Sequence, residues 1–128
     1  MKIIVMLELL CVVVFFGQLL IALETESPEI KSTFLVLYKP GPNWPPEQPV
    51  SALPPKEHGK YLLNLYAEGK MKSAGPFPGT EGAAVVLEVT DESEAEAIVL
   101  EDPAVKSGFF LYEIHQWNLV DWEKYLKK

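Results

Sequence analysis

The sequence predicts an α+β domain with the element order β-α-β-β-α-β, placed after an apolar N-terminal segment. Two observations predict the domain: short β-branched and aromatic runs are bounded by glycine and proline, and two stretches between them carry apolar residues at helical spacing. A third observation predicts the N-terminal segment, because the longest apolar run is confined to residues 3–23.

Residues 3–23 form an almost unbroken apolar run in which Glu8 is the only charged residue. The run is long enough to span a bilayer. Lys2 before it and the small residue Ala22 near its end also resemble a secretory signal peptide. We therefore expect residues 1–23 to be a signal peptide or a membrane anchor. The domain is then exported (periplasmic or secreted) or anchored outside the cytoplasm, with membrane contact only through this segment if it is uncleaved.

The composition argues against two classes of protein. All eleven basic residues are lysines, against eighteen acidic residues, which gives a net charge of −7. Such a surface repels phosphate backbones and offers no arginine for bidentate contacts, so we expect no nucleic-acid partner. The single cysteine, Cys11, lies inside the apolar run, so the rest of the chain has none with which to form a disulfide.

The first half of the domain is divided by a proline-rich stretch. Residues 24–32 are polar and predict a linker, and residues 33–39 predict a β-branched and aromatic first strand. Residues 40–55 contain seven prolines, which exclude a helix or a central strand, so we expect a surface loop with Trp44 folding back over a cleft, or else a disordered linker. A helix over 56–69 follows and ends at a glycine.

The second half repeats the strand and helix signals. Residues 70–74 predict a strand closed by Gly-Pro, and residues 83–89 predict the next one. Residues 91–101 predict a helix, because an aspartate followed three residues later by a glutamate resembles a capping box. Residues 109–117 predict the fourth strand, and residues 118–128 predict a short tail helix.

This order gives two split βαβ halves, as in ferredoxin-like folds, with both helices on one face of a four-stranded sheet. The other face then needs a cover. A second copy of the same sheet is the simplest cover, so we expect a two-fold homodimer. The alternative is a monomer whose sheet is covered by the tail and the proline-rich loop.

Two titratable residues occupy apolar helix faces. His58, Leu62, Leu65 and Tyr66 stand at i, i+4, i+7 and i+8, which aims one of the two histidines at the interior. Asp102 extends the apolar face of the second helix in the same way. A carboxylate that holds one imidazole nitrogen leaves the other free to exchange protons with a ligand. The alternative is a structural pair with no chemical role.

Four stretches together resemble the YCII-related (YciI-like) family over about residues 33–117: FLVLYKPGPNW, HGKYLLNLYAEGKMKSAGPF, GAAVVLEV and EDPAVKSGFFLYEIHQW. The resemblance implies a dimeric α/β barrel of ferredoxin-like subunits and a His/Asp active site, here His58 and Asp102. It includes among relatives a dehydrochlorinase acting on a chlorinated hydroxyquinol. The N-terminal segment, the proline-rich loop and the tail depart from the usual pattern of the family.

We therefore predict a cofactor-free enzyme of the isomerase or lyase type that moves a proton on a small phenolic or enolisable molecule. The alternative is a non-catalytic small-ligand binder or a structural dimeric module at the cell envelope. Tyr38 and Ser73, at strand ends, and Gly75 and Pro76, from the Gly-Pro of the resemblance, are the expected ligand-binding residues. No metal is expected, because the histidines lack the spacing of metal ligands, and His115 is expected at the surface or the dimer interface.

Overall fold

The computed structural model describes residues 28–46 and 55–127, which form one four-stranded sheet with helices on one face. The strand order is β2-β3-β1-β4, and every neighbouring pair is antiparallel, which confirms the predicted ferredoxin-like α+β fold. In chain order the elements are β1 (Ser32–Pro40), α1 (Lys56–Ala67), β2 (Met71–Pro76), β3 (Ala83–Val89), α2 (Glu92–Glu101), α3 (Pro103–Lys106), β4 (Phe110–Gln116) and α4 (Glu123–Leu126). The predicted signal or anchor segment, the start of the linker and the middle of the proline-rich loop lie outside the described residues.

The core lies between the sheet and the helices, and the alternation of the two central strands builds it. In β1 every second side chain is buried, and β3 shows the same alternation. Because Val36 pairs with Val85 across the two strands, both buried sets point to the helix side. The central buried residues of the two strands are Phe34, Val36, Tyr38, Val85, Leu87 and Val89.

Helix α1 presents a narrower inner face than the sequence predicts. His58 and Leu65 are buried and Leu62 is half-buried, but Tyr66 is 59% exposed. A position i+8 is rotated by about 80° from position i around a helix of 3.6 residues per turn, so Tyr66 leaves the inner face. Tyr61 takes its place, because its hydroxyl donates to the carbonyl of Ile98 at 2.8 Å and ties α1 to α2.

Helix α2 begins and ends where the sequence predicts. The Asp91 carboxylate accepts the backbone N–H of Glu94 at 2.9 Å, and the Glu94 carboxylate accepts that of Thr90 at 2.9 Å. This hydrogen bond from the Thr90 N–H is the largest of the contributions that lower the pKa of Glu94. At the other end, Pro103 prevents the residue before it from being helical, so Asp102 has an extended backbone. The short helix α3 begins directly after Asp102.

The start of the proline-rich loop lies against the turn that precedes β4. The N–H of Gly41 donates to the carbonyl of Phe109 at 2.8 Å, and a Cβ at position 41 would collide with the backbone of Gly108. Gly108 itself has a φ of +72°, which favours glycine. This close approach holds the Trp44 ring against the rings of Phe109 and Phe110, at centroid distances of 4.5 and 5.6 Å.

The C-terminal tail forms less helix than predicted, since only Glu123–Leu126 is helical. None of the side chains from 117 to 127 is buried. A short helix needs packing against other elements to be stable in water, and this one has no buried face. Among the described residues, no helix is both long and apolar enough to cross a bilayer.

The sheet face opposite the helices, which we call the open sheet face, is apolar at its centre and charged at its margins. Ion pairs at its margins join Lys39 to Glu113 at 3.5 Å and Lys72 to Glu88 at 3.2 Å. The C-terminal tail does not bury the open sheet face. An apolar face of this kind marks an interface on most proteins. Its apolar residues, by strand register, are Leu35, Leu37, Ala84, Val86 and Leu111.

The open sheet face predicts that residues 24–128 form a dimer. Light scattering at micromolar concentration should give twice the mass of one chain. Val86→Glu should give a monomer, because it places a charge at the centre of that face. Leu100→Glu is the matched control, since Leu100 is 47% exposed on the outside of α2, and it should remain dimeric. A monomeric wild type would contradict the prediction.

The cap of α2 predicts a measurable contribution to stability. Asp91→Ala should lower the free energy of unfolding by about 1 kcal/mol, because the Glu94 N–H loses its partner. Urea unfolding followed by circular dichroism measures it. Glu92→Ala is the control, because Glu92 is one residue later and makes no cap bond. It should lower the free energy of unfolding by less than Asp91→Ala does, and equal decreases would show that the cap contributes nothing.

Candidate active site

The structure brings His58 and Asp102 together beneath the protein surface. His58 stands in the first turn of α1, and Asp102 lies between α2 and α3. Nδ1 of the imidazole is 2.7 Å from Oδ2 and 2.9 Å from Oδ1 of the carboxylate. The two residues are 5% and 0% exposed, so the contact is shielded from solvent and from salt screening.

Two further donors satisfy the carboxylate. The Tyr38 hydroxyl donates to Oδ2 of Asp102 at 3.2 Å, and the N–H of Ala104 donates to Oδ1 at 2.9 Å. An ionised carboxylate only accepts hydrogen bonds, so Nδ1 of His58 must be the donor in the third contact. A neutral imidazole with its proton on Nδ1 has an unprotonated Nε2, which is a base.

The Nε2 atom of His58 has no hydrogen-bond partner among the described residues. The same residue lines a cavity between the start of α1 and the adjoining ends of β2 and β3. One nitrogen is therefore held by the protein, and the other is available to a ligand.

Local sequence explains the position of Asp102. The residue is the N-cap of α3, where an extended backbone lets the side chain accept the N–H of Ala104. Pro103 at the first position of α3 has no N–H to satisfy and enforces the extended conformation before it. The same proline that ends α2 thus turns the carboxylate under α1.

The cavity has a volume of about 180 Å³ and an apolar lining. Among the described residues that line it, His58 is the only one with a titratable side chain. The others have no side chain, a small one or an apolar one, so this part of the wall offers no counterion to a charged ligand. The described lining residues are His58, Gly59, Leu62, Ala74, Gly75, Pro76, Ala83, Ala84, Val85 and Phe110.

Aromatic rings fix the orientation of the imidazole. The Phe110 ring meets the His58 ring edge-on at 5.3 Å, and the Tyr38 ring does so at 5.8 Å. Phe110 in turn lies 5.6 Å from Trp44, which the loop after β1 holds in place. Edge-to-face contacts restrict ring rotation, so the direction of Nε2 is set by packing as well as by Asp102.

The environment of Asp102 also affects nearby phenols. Burial raises the pKa of the Tyr38 hydroxyl well above its ordinary value, and the negative charge of Asp102 raises it further. Burial likewise raises the pKa of Tyr61, with a smaller contribution from Asp102. Both hydroxyls therefore stay protonated at neutral pH and act as donors.

The expected ligand-binding residues divide into two groups. Gly75 and Pro76 line the cavity. Ser73 lies opposite Val86 on the open sheet face and does not line it. Tyr38 does not line it either, and its hydroxyl is engaged by Asp102 instead. The position of Tyr38 on the buried side of β1 was the available signal, because a buried hydroxyl there needs an acceptor.

The walls of the cavity carry no signal in the sequence. Leu62 continues the apolar face of α1 and Phe110 begins β4, which are ordinary core positions, yet both line the cavity together with His58. His115 is exposed, with Nε2 3.6 Å from a Glu113 oxygen. In the ranges that the structure describes, no three histidine, cysteine or acidic side chains cluster as metal ligands would.

Tyr38 predicts a loss of stability at high pH. Its folded pKa is raised, so above the unfolded value of about 10 the unfolded chain releases a proton that the folded chain keeps. The contribution of the Tyr38 hydroxyl to the free energy of unfolding is complete below a pH of about 10. Above that pH it falls by about 1.4 kcal/mol per pH unit. Tyr38→Phe should flatten this decline in urea unfolding between neutral and alkaline pH. An equally steep decline in the variant would contradict the assignment.

Comparison with known proteins identifies the family. The model of the YCII-related domain matches residues 33–118. An uncharacterized protein, YjpA of Bacillus subtilis (strain 168), is 39% identical over 62 residues, which are 48% of this chain and 73% of the relative. A solved structure is also similar, that of 5-chloro-2-hydroxyhydroquinone dehydrochlorinase (TftG) from Burkholderia phenoliruptrix AC1100 in complex with 2,5-dihydroxybenzoquinone. It is 21% identical, covers 68% of this chain and 95% of its own, and has a TM-score of 0.49. The chain belongs to the YCII-related domain family.

Proposed function

We propose that the domain is an acid-base enzyme in which His58 transfers a proton on a small molecule bound in the adjoining cavity. One observation carries the proposal. Asp102 holds Nδ1 of His58 at 2.7 Å, Nε2 has no hydrogen-bond partner among the described residues, and the same side chain lines an apolar cavity. A histidine held in one tautomer by a carboxylate, with its other nitrogen toward a ligand space, is the usual arrangement of a general base.

The chemical step follows from the tautomer. Nε2 of neutral His58 accepts a proton from an O–H or an acidic C–H of the ligand, and the imidazolium that forms faces the Asp102 carboxylate. Return of the proton to another atom of the ligand gives an isomerisation. Departure of an anion from the ligand, followed by release of the proton, gives an elimination. The base and its positioning groups all come from the chain, so the step needs no cofactor.

The cavity selects the ligand by size and charge. Its volume of about 180 Å³ is small for a ligand pocket. A cavity of roughly 150 Å³ with an apolar lining accommodates benzene, so one six-membered ring with small substituents fits here. Among the described lining residues none but His58 has a titratable side chain, which favours an uncharged phenolic or enolisable ring.

The assembly and location belong to the same proposal. The apolar centre of the open sheet face supports a homodimer built as a dimeric α/β barrel. The apolar run of residues 3–23 supports export, with the domain periplasmic, secreted or anchored outside the cytoplasm.

Exchange of hydrogen for deuterium tests proton transfer without knowledge of the product. A panel of cyclic ketones and hydroxylated benzenes is incubated with the protein in D₂O, and proton NMR follows the loss of C–H signals. At least one compound should exchange faster with wild type than without it. His58→Gln should reduce that acceleration roughly 100-fold or more, because an amide donates to Asp102 but cannot accept the proton.

His115→Gln is the matched control, since His115 is exposed in β4 and lies opposite Leu35 on the open sheet face, away from the helices. The His115→Gln variant should accelerate hydrogen exchange of the same compound as much as wild type does. Equal exchange in wild type and His58→Gln would refute the proposal. Ligands that shift the NMR signals of His58 with no exchange in any compound would favour the non-catalytic binder instead.

A further inference from the structure

The C-terminal segment after β4, residues 117–127, exposes an unusual row of large apolar side chains. We call it the tail segment. Its Trp122 and Tyr125 rings contact each other at 5.9 Å, and neither is covered by another element. Six large apolar side chains exposed within eleven residues indicate a surface that another partner covers. The exposed fractions are Trp117 47%, Leu119 60%, Val120 51%, Trp122 72%, Tyr125 69% and Leu126 84%.

The tail segment leaves the domain at the corner where the N-terminal segment enters it. The N–H of Trp117 donates to the carbonyl of Thr33 at 2.8 Å, directly after β1 begins. Ile30, just before β1, is 85% exposed. Residues 24–31 can span at most about 29 Å when fully extended. The apolar run of residues 3–23 is therefore joined to the start of β1 by a short connection.

The composition of the tail segment fits a lipid surface. Tryptophan and tyrosine prefer the boundary between headgroups and hydrocarbon, and lysine can lie along apolar surface with its charge in water. Three of the eleven lysines are among the last five residues of the chain. Positions 117–128 carry a net charge of +1, from three lysines and two acids, whereas the whole chain carries −7, so the remaining residues carry −8.

Resting on the anchored form of the proposed location, in which residues 3–23 stay in a bilayer, we propose that the tail segment lies in the headgroup region of that bilayer and orients the domain on it. The short connection of residues 24–31 keeps the tail segment near that surface at high effective concentration. Its exposed Trp122 and Tyr125 then enter the interface, and Lys127 faces the lipid phosphates beside Lys124, whose ammonium also pairs with Asp121 at 3.3 Å. The tail segment adds a second membrane contact to the N-terminal one.

This orientation directs the candidate site away from the membrane. β4 runs from Phe110, which borders the cavity, to Gln116, which precedes the tail segment. Six steps along a strand span about 20 Å. The cavity therefore lies at the end of the sheet far from the lipid, and a ligand reaches it from the aqueous phase.

The distribution of tryptophan provides the test. The chain has three tryptophans, of which Trp117 and Trp122 lie in the tail segment and Trp44 packs at the cavity end. The full chain is reconstituted into phosphatidylcholine vesicles with or without bromine on the acyl chains. Trp44→Phe, which keeps only the tail tryptophans, should lose much of its fluorescence to bromine. The double variant Trp117→Phe/Trp122→Phe, which keeps Trp44, should lose little.

Both variants exchange one aromatic ring for another, and circular dichroism verifies that they fold. Equal quenching of the two variants would overturn the proposal, and so would the absence of quenching in both. Tail fluorescence that escapes bromine and changes with the protein-to-lipid ratio would place the tail segment on a second copy of the chain and overturn it as well. Failure of the full chain to remain with the vesicles would have the same consequence. None of these readouts depends on proton transfer at His58.

Discussion

The buried carboxylate of Asp102 is the constraint on which the rest of the structure depends. A buried ionised group without partners would cost several kcal/mol, so the fold must supply hydrogen-bond donors around it. It does so from three directions: the Tyr38 hydroxyl in β1, Nδ1 of His58 in α1 and the N–H of Ala104 in α3. Loss of any one donor leaves the charge less satisfied. The carboxylate therefore fixes how α1 and α3 sit on the sheet.

The same constraint creates chemical capacity. Since Asp102 binds Nδ1, the lone pair of His58 points from Nε2, and Phe110 and Tyr38 hold the ring edge-on. The same side chain thus contacts the polar network through Nδ1 and lines the apolar cavity. The imidazole of His58 is the base in this arrangement. Because its partner Asp102 is buried, water is excluded from that side of the ring. Structural and chemical roles are thus performed by one set of contacts.

Much of the fold could be predicted from local patterns. Strand β3 coincides with its predicted range, because alternating apolar residues bounded by turn residues are a local signal. The His58 and Asp102 pair could be anticipated, since both residues continue apolar helix faces in an antiparallel arrangement. The position of Tyr38 on the buried side of β1 indicates that its hydroxyl needs an acceptor, but no local pattern identifies Asp102, 64 residues away, as that acceptor. The length of the tail helix could not be predicted for a related reason. Its stability depends on packing that the described residues do not provide, and only Glu123–Leu126 is helical.

The central claim is that Asp102 holds His58 as the tautomer with its proton on Nδ1. Nitrogen-15 NMR of the imidazole, at a pH where it is neutral, measures this most directly. The account predicts protonated Nδ1 and unprotonated Nε2 for His58 in wild type, a loss of that preference in Asp102→Asn, and no change in the exposed His115. A His58 that carries its proton on Nε2 in wild type would contradict the account, because no basic nitrogen would then face the cavity.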